Sequence, residues 1–373
     1  MQLIACFLAS CMFAQLNADK LDPVLAARIQ DATAKALQYL AASQQADGGW
    51  EVSGKTHPAI SAMVIRALAN DAKYGPTHSS VRRGVEYVLK FAQPDGGIYR
   101  EEDSHKNYHT SVALMLLAAL DDPAYRINIS DAQEFLKKLQ WDEGEGYEQD
   151  NPWYGGQGYG RNKRPDLSNT QMMIEALHDS GLSADDPAYK KALVFIQRCQ
   201  LLDATNDQAL ADGSEDGGFI YTPANGGESM AGTDADSDRP RLRSYGSMTY
   251  AAFKSMLYAK LDQNDPRVKA AIDWIRKNYT LEHNPNMPGA KSKEGLYYYY
   301  YVFARAMHAW DQDSVTDAQG VPHNWRTELA EKLLSLQRPD GSWYNDADRW
   351  MEANSYLVTS YAVQSLQTIV NTK

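Results

Sequence analysis

Cysteine is nearly absent from this chain. Of three cysteines in 373 residues, Cys6 and Cys11 lie close to the start and only Cys199 falls in the body. No disulfide framework can form there, and no CxxC or Cys/His spacing offers a zinc site. Cys199 sits in the apolar stretch Phe195-Ile196-Gln197-Arg198-Cys199 and reads as packing. Positive charge is also in deficit: the formal net charge of −11 argues against nucleic-acid phosphates or anionic membranes as the main partner. No apolar run approaches the ~20 residues of a transmembrane helix. Strand signals and linker composition are scarce too, which points to one helical domain. Hydrophobic residues make up 43% of the chain and charged residues 23%, a balance that supplies a sizeable core.

The first residues differ from the rest. Gln2 to Leu16 is apolar and uncharged, and polar sequence starts at Asn17-Ala18-Asp19-Lys20. This has the character of a secretory signal with cleavage after Ala18. Leu8-Ala9-Ser10-Cys11 also matches a lipoprotein box, in which Cys11 would carry lipid. The expectation is a signal over residues 1–18 and a single domain over 19–373. The protein would be secreted or periplasmic, touching a membrane only if lipidated at Cys11.

What the body has in quantity is a repeated unit. Lys35 to Trp50 reads as a helix whose apolar positions Ala36, Leu37, Leu40 and Ala41 form one stripe, followed by the turn Asp47-Gly48-Gly49 and a large aromatic. The pattern returns at Gln93-Pro94-Asp95-Gly96-Gly97-Ile98 and at Gln337-Arg338-Pro339-Asp340-Gly341-Ser342-Trp343. A second helix follows each first one. The spacing predicts pairs of the helix that starts at Lys35 with 58–70, 80–92 with 111–120, 130–140 with 170–177, 188–200 with 247–261, 268–278 with 296–310, and 325–337 with 355–369. Asp-Pro recurs between units at Asp122-Pro123, Asp186-Pro187 and Asp265-Pro266, as suits the first turn of a helix. Two long insertions, Glu143 to Asp166 and Leu201 to Ser244, break the rhythm.

Six helical hairpins with Gln…Gly…Trp turns resemble the terpene-cyclase and protein-prenyltransferase superfamily, over about residues 28–369. Lys35, Ala36, Tyr39, Leu40, Gln44, Gly48 and Trp50 fit its QW repeat at each defining position. Lys191, Ala192, Phe195, Ile196 and Gln200 fit the first half, and Gln337, Gly341 and Trp343 the second. The resemblance implies an all-α fold, an α/α toroid (an α6/α6 barrel) with each unit's second helix inside. It also implies ligand space at the centre, lined by the starts of the inner helices. The candidate ligand-binding residues are then His57, Tyr108, His109, Asn169, Arg243, Tyr245, Tyr297, Tyr300, Trp350 and Glu352. Their aromatic faces would line an apolar pocket. Of Tyr297 to Tyr301, a helix can turn only one or two toward that pocket.

The chemistry of the family is less legible. Its cyclase branch protonates substrate with an Asp-x-Asp-Asp motif followed by Thr. Here Asp166-Leu167-Ser168-Asn169-Thr170 keeps the first Asp and the Thr but has Ser and Asn in place of the other two carboxylates. General-acid protonation of an alkene needs a carboxyl held protonated by its neighbours, which Ser168 cannot supply. The Asp-x-Cys pair of the zinc prenyltransferases and the Gly-Cys-Gly-Glu-Gln thioester of complement-type toroids are both missing. Asp234-Ala235-Asp236-Ser237-Asp238 opens like an EF-hand loop, but Arg239 and Tyr245 stand where that loop needs Gly and Glu. No metal or cofactor site is readable. Asn128-Ile129-Ser130 and Asn278-Tyr279-Thr280 match the glycosylation sequon and carry little weight. Two expectations remain. One is an exported toroid that binds an apolar, isoprenoid-like molecule without a nucleic-acid partner. The other is a divergent cyclase or prenyltransferase-like enzyme with Asp166 or Asp236 as general acid. Oligomeric state stays open.

Overall fold

The computed structural model describes residues 21–160, 163–234 and 241–371. Cys6, Cys11, the cleavage site after Ala18, and Asp236 lie outside the described residues.

The helices fall into two kinds that sequence alone separates. One kind is amphipathic and begins at an Asp-Pro or polar cap: α1 (Pro23–Ala42), α3 (Ser79–Leu89), α5 (Arg126–Lys138), α7 (Pro187–Cys199), α9 (Pro266–Lys277) and α11 (Trp325–Leu336). Asp22, Asp186 and Asp265 each accept a first-turn N–H ahead of a proline that needs no such bond. The other kind is apolar around most of its circumference: α2 (Pro58–Ala69), α4 (Lys106–Leu120), α6 (Leu167–Asp179), α8 (Gly246–Tyr258), α10 (Leu296–Trp310) and α12 (Ser355–Val370). Every residue of α2 is buried. A helix of this kind must sit inside.

Packing follows from that split. Inner helices touch in the order α2, α4, α6, α8, α10, α12 and back to α2, closing a ring. Outer helices pack on the inner helix of the preceding unit, and α1 closes the outer layer against α11 and α12. The fold is an all-α toroid, with three antiparallel pairs of two-residue strands among the described residues of its loops. The second inner helix begins at Lys106, five residues before the start that its apolar spacing suggests, because Lys106 to Thr110 is a polar and aromatic first turn.

One device joins neighbouring units. Gln44 donates to Gly48 O in its own turn (2.9 Å) and to Ser80 O on the next outer helix (2.8 Å). Gln140, Gln200 and Gln337 repeat this, reaching Ala188 O, Arg267 O and Ala32 O respectively. The glycine of each turn has positive φ and lies against a carbonyl of that next helix. A Cβ on Gly96 would be 2.7 Å from Asp131 O, one on Gly217 2.5 Å from Ala270 O, and one on Gly341 2.7 Å from Lys35 O. Only glycine fits both demands. Trp50 and Trp343 are fully buried and donate from Nε1 to Leu40 O (2.7 Å) and Leu333 O (2.8 Å).

Candidate functional site

Each inner helix follows an antiparallel outer one, so all six begin at one rim of the ring. Two buried carboxylates anchor that rim. Asp166 caps α6: Oδ1 accepts Ser168 Oγ–H (2.7 Å) and the Asn169 N–H (2.9 Å), and Oδ2 accepts Asn169 Nδ2–H (2.8 Å). Burial raises its pKa, and the Ser168 and Asn169 bonds oppose that rise. Glu352 caps α10 from the loop before α12. Its Oε1 accepts the Tyr298 N–H (2.8 Å), and its Oε2 accepts the Tyr297 N–H (3.3 Å) and Asn345 Nδ2–H (2.6 Å). Burial pushes its carboxyl up to about 7 against those bonds.

Down the axis the ring is filled by polar groups in sequence. Gln171 donates to Tyr298 Oη (2.9 Å) and accepts from Lys254 Nζ (2.7 Å). Lys254 also bonds Glu175, which accepts from Tyr301 Oη–H and meets Arg305 Nε at 3.0 Å. Asp179 then pairs with Arg66 (2.7 Å) and Arg305 (2.5 Å). Burial would lift the Glu175 carboxyl, but Lys254 and Arg305 outweigh it and hold it at about 2. Tyr361 meets the Tyr298 ring edge-on (6.1 Å) and the Tyr301 ring at a tilt (5.3 Å), and the Tyr108 hydroxyl lies beside it. Tyrosine rings thus lie toward the rim, and buried ions lie deeper along the axis.

On one side of the rim a histidine cluster forms. His57 caps α2, with Nδ1 3.4 Å from the Ile60 N–H, and His109 stands in the first turn of α4. Their rings meet edge to face at 4.9 Å. Asp103, in the loop before α4, places Oδ2 3.4 Å from His109 Nε2, while its Oδ1 bonds His105. Burial holds the His57 imidazole at about 4 and that of His109 at about 3, so both are neutral at physiological pH.

The other residues singled out from sequence are distributed differently. Asn169 accepts from Asn107 Nδ2 through its carbonyl (3.1 Å), tying α6 to α4. Tyr245 caps α8, buried beside Asp166. Arg243 lies next to the hairpin that pairs Thr233–Asp234 with Arg241–Leu242, 3.8 Å from Asp234. Tyr297 packs edge-on to Tyr300, whose hydroxyl donates to Leu281 O away from the axis. Tyr298 and Tyr301 are the two of that run that face the axis. Trp350 is exposed, with positive φ, over Gly295 at the start of α10. Sequence reasoning did not single out Asp103, Gln171, Glu175, Lys254, Arg66 or Arg305. A signal was there: single charged residues inside otherwise apolar helices, as in Ile65-Arg66-Ala67 and Phe253-Lys254-Ser255.

Comparison with known proteins places this geometry. Residues 55–222 match the family model for the squalene-hopene cyclase C-terminal domain. The type II terpene cyclase MstE from Scytonema, in a variant complexed with geranylgeranyl dihydroxybenzoate, superposes with a TM-score of 0.57 at 14% identity. The match covers 94% of this chain and 99% of that one. The apo form of MstE gives 0.55 at 15%, covering 91% and 98%. A D-mannose isomerase gives 0.56 at 12%, covering 94% and 98%. No curated protein matches the chain. Likenesses this distant fix the ring and leave its chemistry to the residues described above. In its repeats and its closed double ring of helices the chain is similar to the squalene-cyclase-like, terpene-cyclase superfamily, and the family model matches it over residues 55–222.

Proposed function

We propose that this toroid is an exported binding protein for a small, isoprenoid-like molecule, held at the tyrosine-lined rim of the ring. It does not run class II cyclisation. The observation that carries this reading is the set of partners of Asp166, which are Ser168 and Asn169 and include no second carboxylate. Each hydrogen bond to its carboxylate from Ser168 and Asn169 is accepted by an oxygen, an arrangement that favours the ionised form. An ionised carboxylate has no proton to give an alkene. Tyr108, Tyr298 and Tyr361 supply aromatic faces for an apolar segment. The histidine side of the rim would receive a polar end.

The second reading is a divergent cyclase, favoured by the burial that raises the pKa of Asp166. Incubation with squalene and with geranylgeranyl diphosphate separates the two. Binding is followed by quenching of tyrosine and tryptophan fluorescence, and products by mass spectrometry. Saturable binding with substrate returned unchanged is expected. A cyclised product lost in Asp166→Asn would install the enzyme reading, and loss in Asp236→Asn would move the acid to that loop. Binding of saccharides and no isoprenoid would replace the ligand class, with the polar groups along the axis as the receiving surface.

A further inference from the structure

The histidine cluster at the rim does something that capping and packing do not require. His57 comes from the first unit and Asp103 and His109 from the second, yet one ligand atom of each lies within 4.8 Å of the other two. Asp103 Oδ2 and His109 Nε2 are 3.4 Å apart. Two ligands at ~2.0–2.1 Å from a tetrahedral ion are themselves about 3.3–3.4 Å apart. The carboxylate is oriented from behind: its Oδ1 accepts the His105 backbone N–H (2.9 Å) and bonds the His105 ring, leaving Oδ2 turned toward His109. Such outer contacts are what hold ligating side chains in place. His109 is 2% exposed, and its Nδ1 is buried with no hydrogen-bond partner. A buried ring nitrogen left unpaired is destabilising.

We propose that His57, Asp103 and His109 form a binding site for a divalent first-row transition ion of the Zn²⁺ or Fe²⁺ class. Two imidazoles and one carboxylate suit such ions better than Mg²⁺ or Ca²⁺, which prefer all-oxygen shells, or Cu⁺, which prefers sulfur. Three protein ligands leave at least one position for water or a bound molecule, as in open rather than structural sites. The site stands on these residues alone and does not depend on the isoprenoid reading.

The test uses the full chain, stripped with EDTA and desalted, then titrated with Co²⁺ and Zn²⁺ by calorimetry and by the visible d–d bands of Co²⁺. One equivalent is expected, with Kd in the micromolar range or tighter. Asp103→Asn and His57→Ala, both at partly exposed positions, should each weaken binding at least ~10-fold. His323→Ala should leave it unchanged. That residue is a control, because its ring also lies between carboxylates, 3.2 Å from Asp317 and 3.0 Å from Glu328. Circular dichroism melts establish that each variant is folded. Absence of saturable binding in the wild type would overturn the proposal. So would binding that survives Asp103→Asn and His57→Ala but falls in His323→Ala.

Discussion

Glu175→Gln tests whether the ion cluster along the axis of the ring is desolvated. Glu175 is fully buried, bonded to Lys254 and Tyr301 and 3.0 Å from Arg305. Arg66, Lys254 and Arg305 face Glu175 and Asp179, three cations on two anions. Neutralising Glu175 leaves three cations on one, and breaking a buried pair from one side costs about 3–5 kcal/mol. Roughly 340 described residues at ~2.1 cal/mol/K each give an unfolding entropy near 0.7 kcal/mol/K, so Tm should fall by about 4–7 °C. Adding Lys254→Met returns the cluster to one excess cation with a side chain of similar volume. The double variant should recover at least ~2 kcal/mol relative to additivity. The cluster also sets a sign for acid. The folded pKa of Glu175, at about 2, lies below its ordinary 4.5. Its stabilisation is present above 4.5 and lost as pH falls toward 2, so the wild type should lose Tm over that window more steeply than Glu175→Gln. Scanning calorimetry measures all of this. A Tm change under about 1 °C with additive double-variant behaviour would refute the argument, because it would mean that water already screens the charges.

Three further outcomes follow from features of the rim and the turns. Glu352 has the opposite linkage: its folded value, about 7, is above 4.5, so its contribution is complete below 4.5 and disappears as pH rises through 7. The wild type should therefore lose Tm between pH 5 and 7.5 in a way that Glu352→Gln does not, as differential scanning fluorimetry would record. Trp50→Ala should cost about 3–5 kcal/mol in chemical denaturation. Trp153→Ala, half-buried between Trp141 and Tyr147, should cost distinctly less, and equal losses would make the 143–166 loop part of the core. Gly155→Ala should fail to fold or lose several kcal/mol, because its Cβ would overlap Lys191 O. Gly146→Ala, with φ of 80° but open space around it, should lose only about 1 kcal/mol in the same assay.

The ring was legible because its signals are local. Helical spacing, Asp-Pro starts and the Gln-to-Gly turn of the first unit need only a few neighbouring residues, and they located the helices of the described residues to within a few positions, except the first, which begins at Pro23 and not at Lys35. The third unit fits the repeat loosely, and the fourth fits only its first half, for a local reason as well. Gln44 meets its glycine four residues on, but Gln140 meets Gly155 and Gln200 meets Gly217, with the insertions placed inside the turn itself. The spatial device is the same; only its spacing in sequence is stretched. The site was less legible because its groupings are not local. Nothing in the spacing of His57, Asp103 and His109 brings two units together, and a helical wheel without a known axis cannot say that Tyr298 and Tyr301, rather than Tyr297 and Tyr300, look inward. Asp166 and Glu352 stood out in sequence, but their role as buried helix caps appears only with their hydrogen-bond partners.

The seam between the last turn and the first helix bears on how the chain reaches this shape. Gly341 rests on Lys35, Gln337 bonds Ala32 O, and Arg28 pairs with Glu331. Helix α1 therefore has its lateral neighbours in segments about three hundred residues further along the chain. Leu25, Ile29 and Ala36 stay without those partners until about three hundred further residues have emerged. Such distant pairing slows folding and leaves an apolar stripe open to wrong partners in the interval. A circular permutant that joins the two ends and opens the ring at Gly146, where nothing crowds the backbone, would bring that seam together early without altering a contact in the finished ring.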